Sequence, residues 1–251
     1  MKIAIDAGHY LYTSGKRCLK SIDPDETREW VLNSRIAAML AARLAEYDCE
    51  VIRVDDVSGE KEVGLTERCD LSNKWGTDVY ISIHHNAGIN GGSGGGTVVF
   101  WYSANDERGE QAKRLYDSIV AHTGLRGNRS NPVVFKGYYV LKHTAAASFL
   151  IENGFMDSTT DTPIILTNEH AEKTAEGIEK FLVDEYGLEK RNKHDEEING
   201  MPKWARATIT KLVDRGYLKG DDTGLNLSND LMRTLVILDR AGVFDINSDI
   251  K

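Results

Sequence analysis

The sequence predicts an α/β fold: a mostly parallel, twisted sheet with helices on both faces, followed by a small α-helical C-terminal domain. Three observations carry this expectation. Short apolar runs alternate with segments of helical period over residues 1–186, the pattern of strand–helix–strand units. Polar side chains gather at the C-terminal ends of the strand-like runs. From about residue 200 onward the pattern is helical only. The length of 251 residues suits one full-sized domain plus a smaller one. A hydrophobic content of 41% supplies the core.

Residues 2–6 are a short apolar run that ends at Gly8-His9, a buried strand opening into a loop. The loop extends to about Asp23-Pro24. Trp30, Ile36, Ala37, Leu40 and Leu44 recur at helical spacing across residues 26–46, and Pro24 with Asp25 makes the helix start. Residues 50–54 read as a second strand, 65–75 as a second helix and 78–84 as a third strand. The Gly-rich stretch 91–96 lacks the Lys-Ser/Thr ending and following helix of a phosphate cradle, so it reads as a flexible surface loop. A fourth strand is expected at 97–102 and a third helix at 107–122. Extended stretches follow at 132–135 and 138–141. Residues 149–152 look like one more buried strand, ending at Asn153-Gly154, and 169–186 form an amphipathic helix.

Residues 187–199 are charged and without apolar period, and read as a linker or a solvated helix. In the expected domain of residues 200–251, Pro202 opens a helix presenting Trp204, Ile209, Leu212 and Val213, which Gly216 and Gly220 end. Ser228 is a good N-cap for a second helix presenting Leu231, Leu235 and Leu238. About 50 residues without a disulfide or metal are marginal for independent stability, so self-association or packing on the first domain is expected.

Composition excludes several classes. Lys plus Arg number 31 against 39 Asp plus Glu, a net charge of −8, and no basic block stands out. A nucleic-acid partner is therefore not expected. No run approaches the roughly 18 apolar residues of a membrane span, so neither is a membrane. Asp6 and His9 interrupt the N-terminal apolar stretch before it reaches the roughly 7–15 residues of a signal peptide. The expectation is a protein made in the cytoplasm, which needs help to reach any target outside the membrane. Cys18, Cys49 and Cys69 have no framework spacing and read as buried, reduced thiols.

In open α/β sheets, ligands bind beyond the carboxyl ends of the strands. The polar groups at those ends are His9, His84-His85-Asn86 and Glu152-Asn153. A catalytic zinc takes three ligands from His and carboxylate and leaves a fourth place for water. His9 and His84 are candidates from two strand ends, and Asp25, Glu26 and Glu29 all lie near the start of the first helix. Glu152 closes an apolar strand, Phe149-Leu150-Ile151, where a carboxylate is costly to bury without work to do. His122, His143, His170 and His194 have no ligand spacing among themselves, and His143 reads as a surface residue.

Five segments in order narrow these alternatives: IAIDAGH at residues 3–9, Glu29-Trp-Val-Leu-Asn33, Gly64-Leu-Thr-Glu-Arg68, the strand 79–87 with Ser82-Ile-His84-His-Asn86, and Phe149-Leu-Ile-Glu152-Asn-Gly-Phe155. Together they resemble the zinc-dependent N-acetylmuramoyl-L-alanine amidases, the group with sporulation amidases and phage endolysins, over residues 1–186. The resemblance implies zinc held by His9, Glu29 and His84, with Glu152 as the catalytic acid–base, and does not count His85 as a ligand. It implies peptidoglycan as substrate, cut between N-acetylmuramic acid and L-alanine. A phage endolysin released for host lysis is the favoured role, beside a mother-cell lysis enzyme. Through Trp204-Ala205 and the block 235–244, residues 200–251 loosely resemble C-terminal endolysin modules that bind the wall or associate, so a homo-oligomer is a further expectation, with a bare helical-pair packing unit as the alternative. Two other readings are a zinc peptidase acting within the stem peptide and a non-catalytic wall-binding protein. The complete ligand and acid–base set disfavours the latter.

Overall fold

Six strands form one sheet in the order β2-β1-β3-β6-β4-β5. They are β1 (Lys2–Ala7), β2 (Glu50–Arg53), β3 (Val79–Asn86), β4 (Thr97–Trp101), β5 (Val133–Phe135) and β6 (Ala147–Phe155). The computed structural model describes residues 1–104, 107–191, 194–221 and 223–245. Residues 192–193 of the expected linker and 246–251 of the expected C-terminal domain lie outside the described residues. The chain divides into two compact units, Met1–Lys190 and Arg191–Lys251.

The sheet is mostly parallel, as the alternating pattern predicts. The exception is the β4–β6 pair, which is antiparallel. The connection from β3 to β4 explains it. The chain leaves the carboxyl edge of β3 and re-enters from the same edge through the loop of residues 87–96, with no crossover helix to carry it back.

Strand alternation divides the core between two faces. Ile3, Ile5, Val79, Ile81, Ile83, Phe149 and Ile151 face one side, with α1 (Glu29–Leu44), α3 (Glu107–Thr123) and α6 (Asn168–Tyr186) packed over them. Ala4, Tyr80 and Leu150 face the other, under α2 (Leu65–Trp75) and the short α4 (Tyr139–His143). Gly177 lets α6 approach α3, since a Cβ there would lie 2.7 Å from Ile119 Cα. Helices thus cover both faces, and the second cover is the thinner one. Cys18, Cys49 and Cys69 are free and buried.

Several expected boundaries move for identifiable reasons. The first helix starts at Glu29, not near residue 26. The Asp23 carboxylate accepts the Asp25 and Thr27 N–H groups at 3.3 and 2.7 Å, so the Pro24-Asp25 signal builds a turn instead of a helix end. Glu26 has φ of 50°, outside the helical region. Residues 138–141, expected to be extended, lead into α4, where Val140 and Leu141 are buried against the sheet. Strand β6 runs on through Asn153-Gly154 to Phe155 and is followed by α5 (Thr162–Ile165). The Gly-rich loop is fastened rather than free. Asp157 Oδ2 accepts the N–H groups of Gly88, Ile89 and Asn90 at 2.7–2.8 Å, and Asp161 Oδ2 accepts that of Gly96 at 2.7 Å.

The stretch expected as a linker, 187–199, is shared by the two units. Leu188 is buried in the first unit's core. The second unit begins with α7 (Asp195–Gly200), followed by α8 (Lys203–Asp214) and α9 (Asn229–Arg240). Its core holds Ile198, Met201, Ala205, Ile209, Leu225, Met232 and Val236. Ser228 caps α9 by accepting the Leu231 N–H at 3.2 Å. The buried stripe of α9 is Met232 and Val236, whereas Leu231 and Leu238 are exposed. No helix among the described residues is long and apolar enough to cross a membrane.

Candidate metal centre

The same alternation selects the side chains that meet at the carboxyl edge. Along β3, His84 follows Tyr80 and Ser82 on the thinly covered face, and along β6, Glu152 follows Leu150. His84 and Glu152 are register partners on adjacent strands. Beyond α4 this face opens as a cleft of about 440 Å³, lined by His9, Lys16, His84, Glu152, Tyr138 and Tyr139 among others.

His9 enters from the turn after β1 with φ of 68°, a conformation uncommon for a residue other than glycine. Gly8 precedes it because nothing larger fits: a Cβ there would lie 2.0–2.4 Å from the His84 ring. Glu29 comes from the first position of α1 and is completely buried. Its Oε1 lies 3.3 Å from His9 Nε2 and 3.1 Å from His84 Nδ1. Potential donor atoms of His9, Glu29 and His84 all lie within 4.8 Å of one another. Two imidazoles and one carboxylate are a donor set suited to catalytic zinc. Glu29 Oε1 faces both imidazoles and is the carboxylate oxygen placed to share a cation with them.

Protonation tendencies agree with this arrangement. Burial alone would raise the Glu29 carboxyl, but hydrogen bonds and charge from His84 and His9 outweigh it and hold the group well below the usual carboxylate range. Burial would lower His84, and the Glu29 carboxylate overcomes that and raises it. Glu152 behaves oppositely: burial pushes its carboxyl up to about 7, and the His84 charge opposes this only in part. Its Oε2 is shielded and has no hydrogen-bond partner. Two carboxylates on one site with separated proton affinities are suited to separate roles.

One step along β3 reverses the side chain, so His85 points under α1. Its Nδ1 lies 2.8 Å from Asn33 Oδ1, and burial lowers it to about 3, which keeps the ring neutral. Asn33 also donates to Gly8 O at 3.0 Å, tying α1 to the turn that carries His9. Of the other carboxylates near the helix start, Asp25 is exposed and Glu26 pairs with Arg17 at 3.0 Å. His143 is exposed and stacks on Tyr139 with ring centroids 4.2 Å apart.

Beneath the cleft lies a buried pair that sequence reasoning missed. The Arg68 guanidinium pairs with Asp6 and donates to Ala7 O and His9 O, each at 2.8 Å, while Nε donates to Val63 O at 2.8 Å. One side chain thereby ties the cleft wall to the His9 turn. Asp6 also accepts the Ser82 hydroxyl at 2.7 Å. The signal was present: a carboxylate inside the apolar run of residues 3–7 demands a cation, although the sequence does not say which. Arg68→Met should cost about 3–5 kcal/mol of unfolding free energy, because Asp6 is left buried and unpaired. Urea denaturation of the metal-free protein measures it, and a loss below 1 kcal/mol would mean that water or Ser82 suffices for Asp6.

Comparison with known proteins follows the same residues. The family described as N-acetylmuramoyl-L-alanine amidase matches residues 3–184. The chain is 27% identical over 190 residues to N-acetylmuramoyl-L-alanine amidase CwlM of Bacillus licheniformis, covering 76% of this chain and 70% of that one. It is 28% identical over 185 residues to the endolysin of Bacillus phage SPP1, covering 71% and 65%. Its fold resembles the crystal structure of N-acetylmuramoyl-L-alanine amidase from Clostridium difficile 630, with a TM-score of 0.66 and 25% identity over 74% of this chain and 96% of that one.

Proposed function

Since the chain belongs to the N-acetylmuramoyl-L-alanine amidase family, we propose that it cleaves the amide between N-acetylmuramic acid and L-alanine with a zinc ion held by His9, Glu29 and His84 and with Glu152 as general base and acid. Peptidoglycan amidase activity is the family's own chemistry. The metal, the residue roles and the biological setting are the proposal. The observation that carries it is the convergence of the three donor side chains within 4.8 Å at the sheet edge where Glu152 is the register partner of His84.

Zinc there would supply a Lewis acid that lowers the pKa of a bound water to about 7 and polarises the scissile carbonyl. The chain's residues do the rest. Glu29 and the two imidazoles hold the cation. Glu152, ionised, takes the proton of the attacking water, and, protonated, gives it to the departing alanine nitrogen. A carboxyl raised to about 7 is suited to both transfers near neutral pH. Tyr138, Tyr139 and Val140 form a cleft wall beside the acid–base group.

Product analysis tests the reaction. Digestion of purified walls should free new amino groups on L-alanine. New amino groups on other stem residues would indicate a peptidase instead.

Similarity to the SPP1 endolysin supports host lysis as the setting and similarity to a sporulation-specific amidase of Bacillus subtilis supports mother-cell lysis; we propose the first, with the enzyme acting on the wall after release from the cell. The second unit is assigned to holding the enzyme to the wall or to another copy of itself. It exposes Trp204, Leu231, Ile237 and Leu238, apolar side chains of the kind that an interaction surface uses. A chain ending at Lys190 should cleave soluble muramyl-peptide fragments at a rate comparable to the full chain. It should act more slowly on whole walls, or run as a monomer where the full chain does not. Equal wall binding and an equal oligomeric state would remove both roles.

A further inference from the structure

After the His9 turn the chain doubles back along the residues that lead into α1. Cys18 N–H donates to Thr27 O at 2.9 Å, Arg17 and Arg28 form an antiparallel bridge, and Glu29 N–H donates to Lys16 O at 3.1 Å. This register sets residue 16 opposite residue 29, and so brings Lys16 alongside the buried carboxylate. The Lys16 ammonium lies 3.4 Å from Glu29 Oε2. The other oxygen, Oε1, faces His9 and His84 at 3.3 and 3.1 Å. Oε2 is enclosed and accepts no hydrogen bond, so the ammonium is the group that compensates it. The Lys16 side chain is half-buried and reaches this point from the cleft.

We propose that Lys16 is a positioning residue for the metal centre: it engages Glu29 Oε2 and leaves Oε1 as the single oxygen offered on the histidine side. The inference rests on the reading of His9, Glu29 and His84 as a zinc site. A carboxylate with both oxygens free can turn about its last bond, or present both oxygens to one cation. One with an oxygen held by a neighbouring group keeps its orientation, and partners of this kind typically change metal affinity by about 10–100-fold. A competing effect has the opposite sign. An ammonium beside a dication repels it, so if simple repulsion governed, removing Lys16 would tighten binding. The direction of the change therefore separates positioning from repulsion.

The experiment is chelator-competition titration of zinc into the metal-stripped full chain, for the wild type, Lys16→Met and Lys16→Arg. Met keeps most of the aliphatic stem without the charge. Lys16→Gln serves if the Met variant does not fold, and urea midpoints of the stripped proteins establish folding. Lys16→Met should bind zinc about 10–100-fold more weakly, with Lys16→Arg between it and the wild type. The visible spectrum of the cobalt-loaded Met variant should lose intensity as a second carboxylate oxygen joins the metal. Unchanged or tighter zinc binding would overturn the proposal. A raised KM with unaltered metal affinity would overturn it too and move Lys16 to the substrate. Failure of the wild type itself to bind one zinc would remove the zinc reading and this inference together, whereas equal binding by wild type and Lys16→Met removes the inference alone.

Discussion

Glu152→Gln should keep zinc and fold but lose turnover by about 10²–10⁴-fold, the usual contribution of a general acid–base group. The amide keeps the size and shape of the carboxyl and cannot take the water's proton. Glu152 Oε2 is shielded and accepts no hydrogen bond, so the substitution breaks no bond at that oxygen and the melting temperature should hold. The pH profile carries the same signature. In the chain alone, burial raises Glu152 to about 7. A bound cation favours the ionised form and can only lower that value. The base works when ionised, so kcat/KM should rise with pH to a plateau, with a midpoint at or below about 7. Amidase assays on soluble muramyl peptides from pH 4.5 to 8 measure both effects. Near wild-type rates in the Gln variant, or a midpoint clearly above 7, would assign the proton to another group.

His84→Ala should lose most of its zinc, and with it nearly all activity. The ring stands where three elements meet: the end of β3, the first position of α1 and the turn after β1. Its Nδ1 is one of two imidazole nitrogens within 3.3 Å of Glu29 Oε1, so two donors remain after the substitution, too few for a catalytic zinc site. The stripped variant should still fold, since the ring lies at the cleft and not in either core cluster. Metal analysis after dialysis reads the loss. Full zinc occupancy with unchanged affinity would mean that the ion is held elsewhere.

How far the sequence reveals this arrangement depends on the range of the interactions. The sheet was legible because strand and helix periods are local, and so was the gathering of His9, His84 and Glu152, since open sheets collect function at their carboxyl edge. The choice of Glu29 over Asp25 and Glu26 was not legible from spacing. It turns on the Asp23 turn and on the pairing of residues 16–18 with 27–29, contacts across a loop that no period records. Arg68 was visible only as part of a motif, because its partners Asp6, Ala7 and His9 lie some 60 residues away. His85 is a different case. Period-two alternation alone, applied from His84, would have turned it toward α1. In the second unit the stripe Leu231, Leu235, Leu238 looked like the core face, yet only Leu235 packs against the core, whose buried α9 residues are Met232 and Val236. Two apolar stripes on one short helix leave the choice to the packing of α8, which lies beyond the helix's own sequence.

The central claim is that one cation, held by His9, Glu29 and His84, serves hydrolysis of the muramyl–alanine amide. The most direct measurement is a titration of the chelator-stripped full chain with zinc, following bound zinc and newly released L-alanine amino termini from purified walls in the same samples. The two curves should rise together and level off at one zinc per chain, and His84→Ala should raise neither. Full turnover by the stripped protein, or zinc bound to saturation by His84→Ala, would contradict the account.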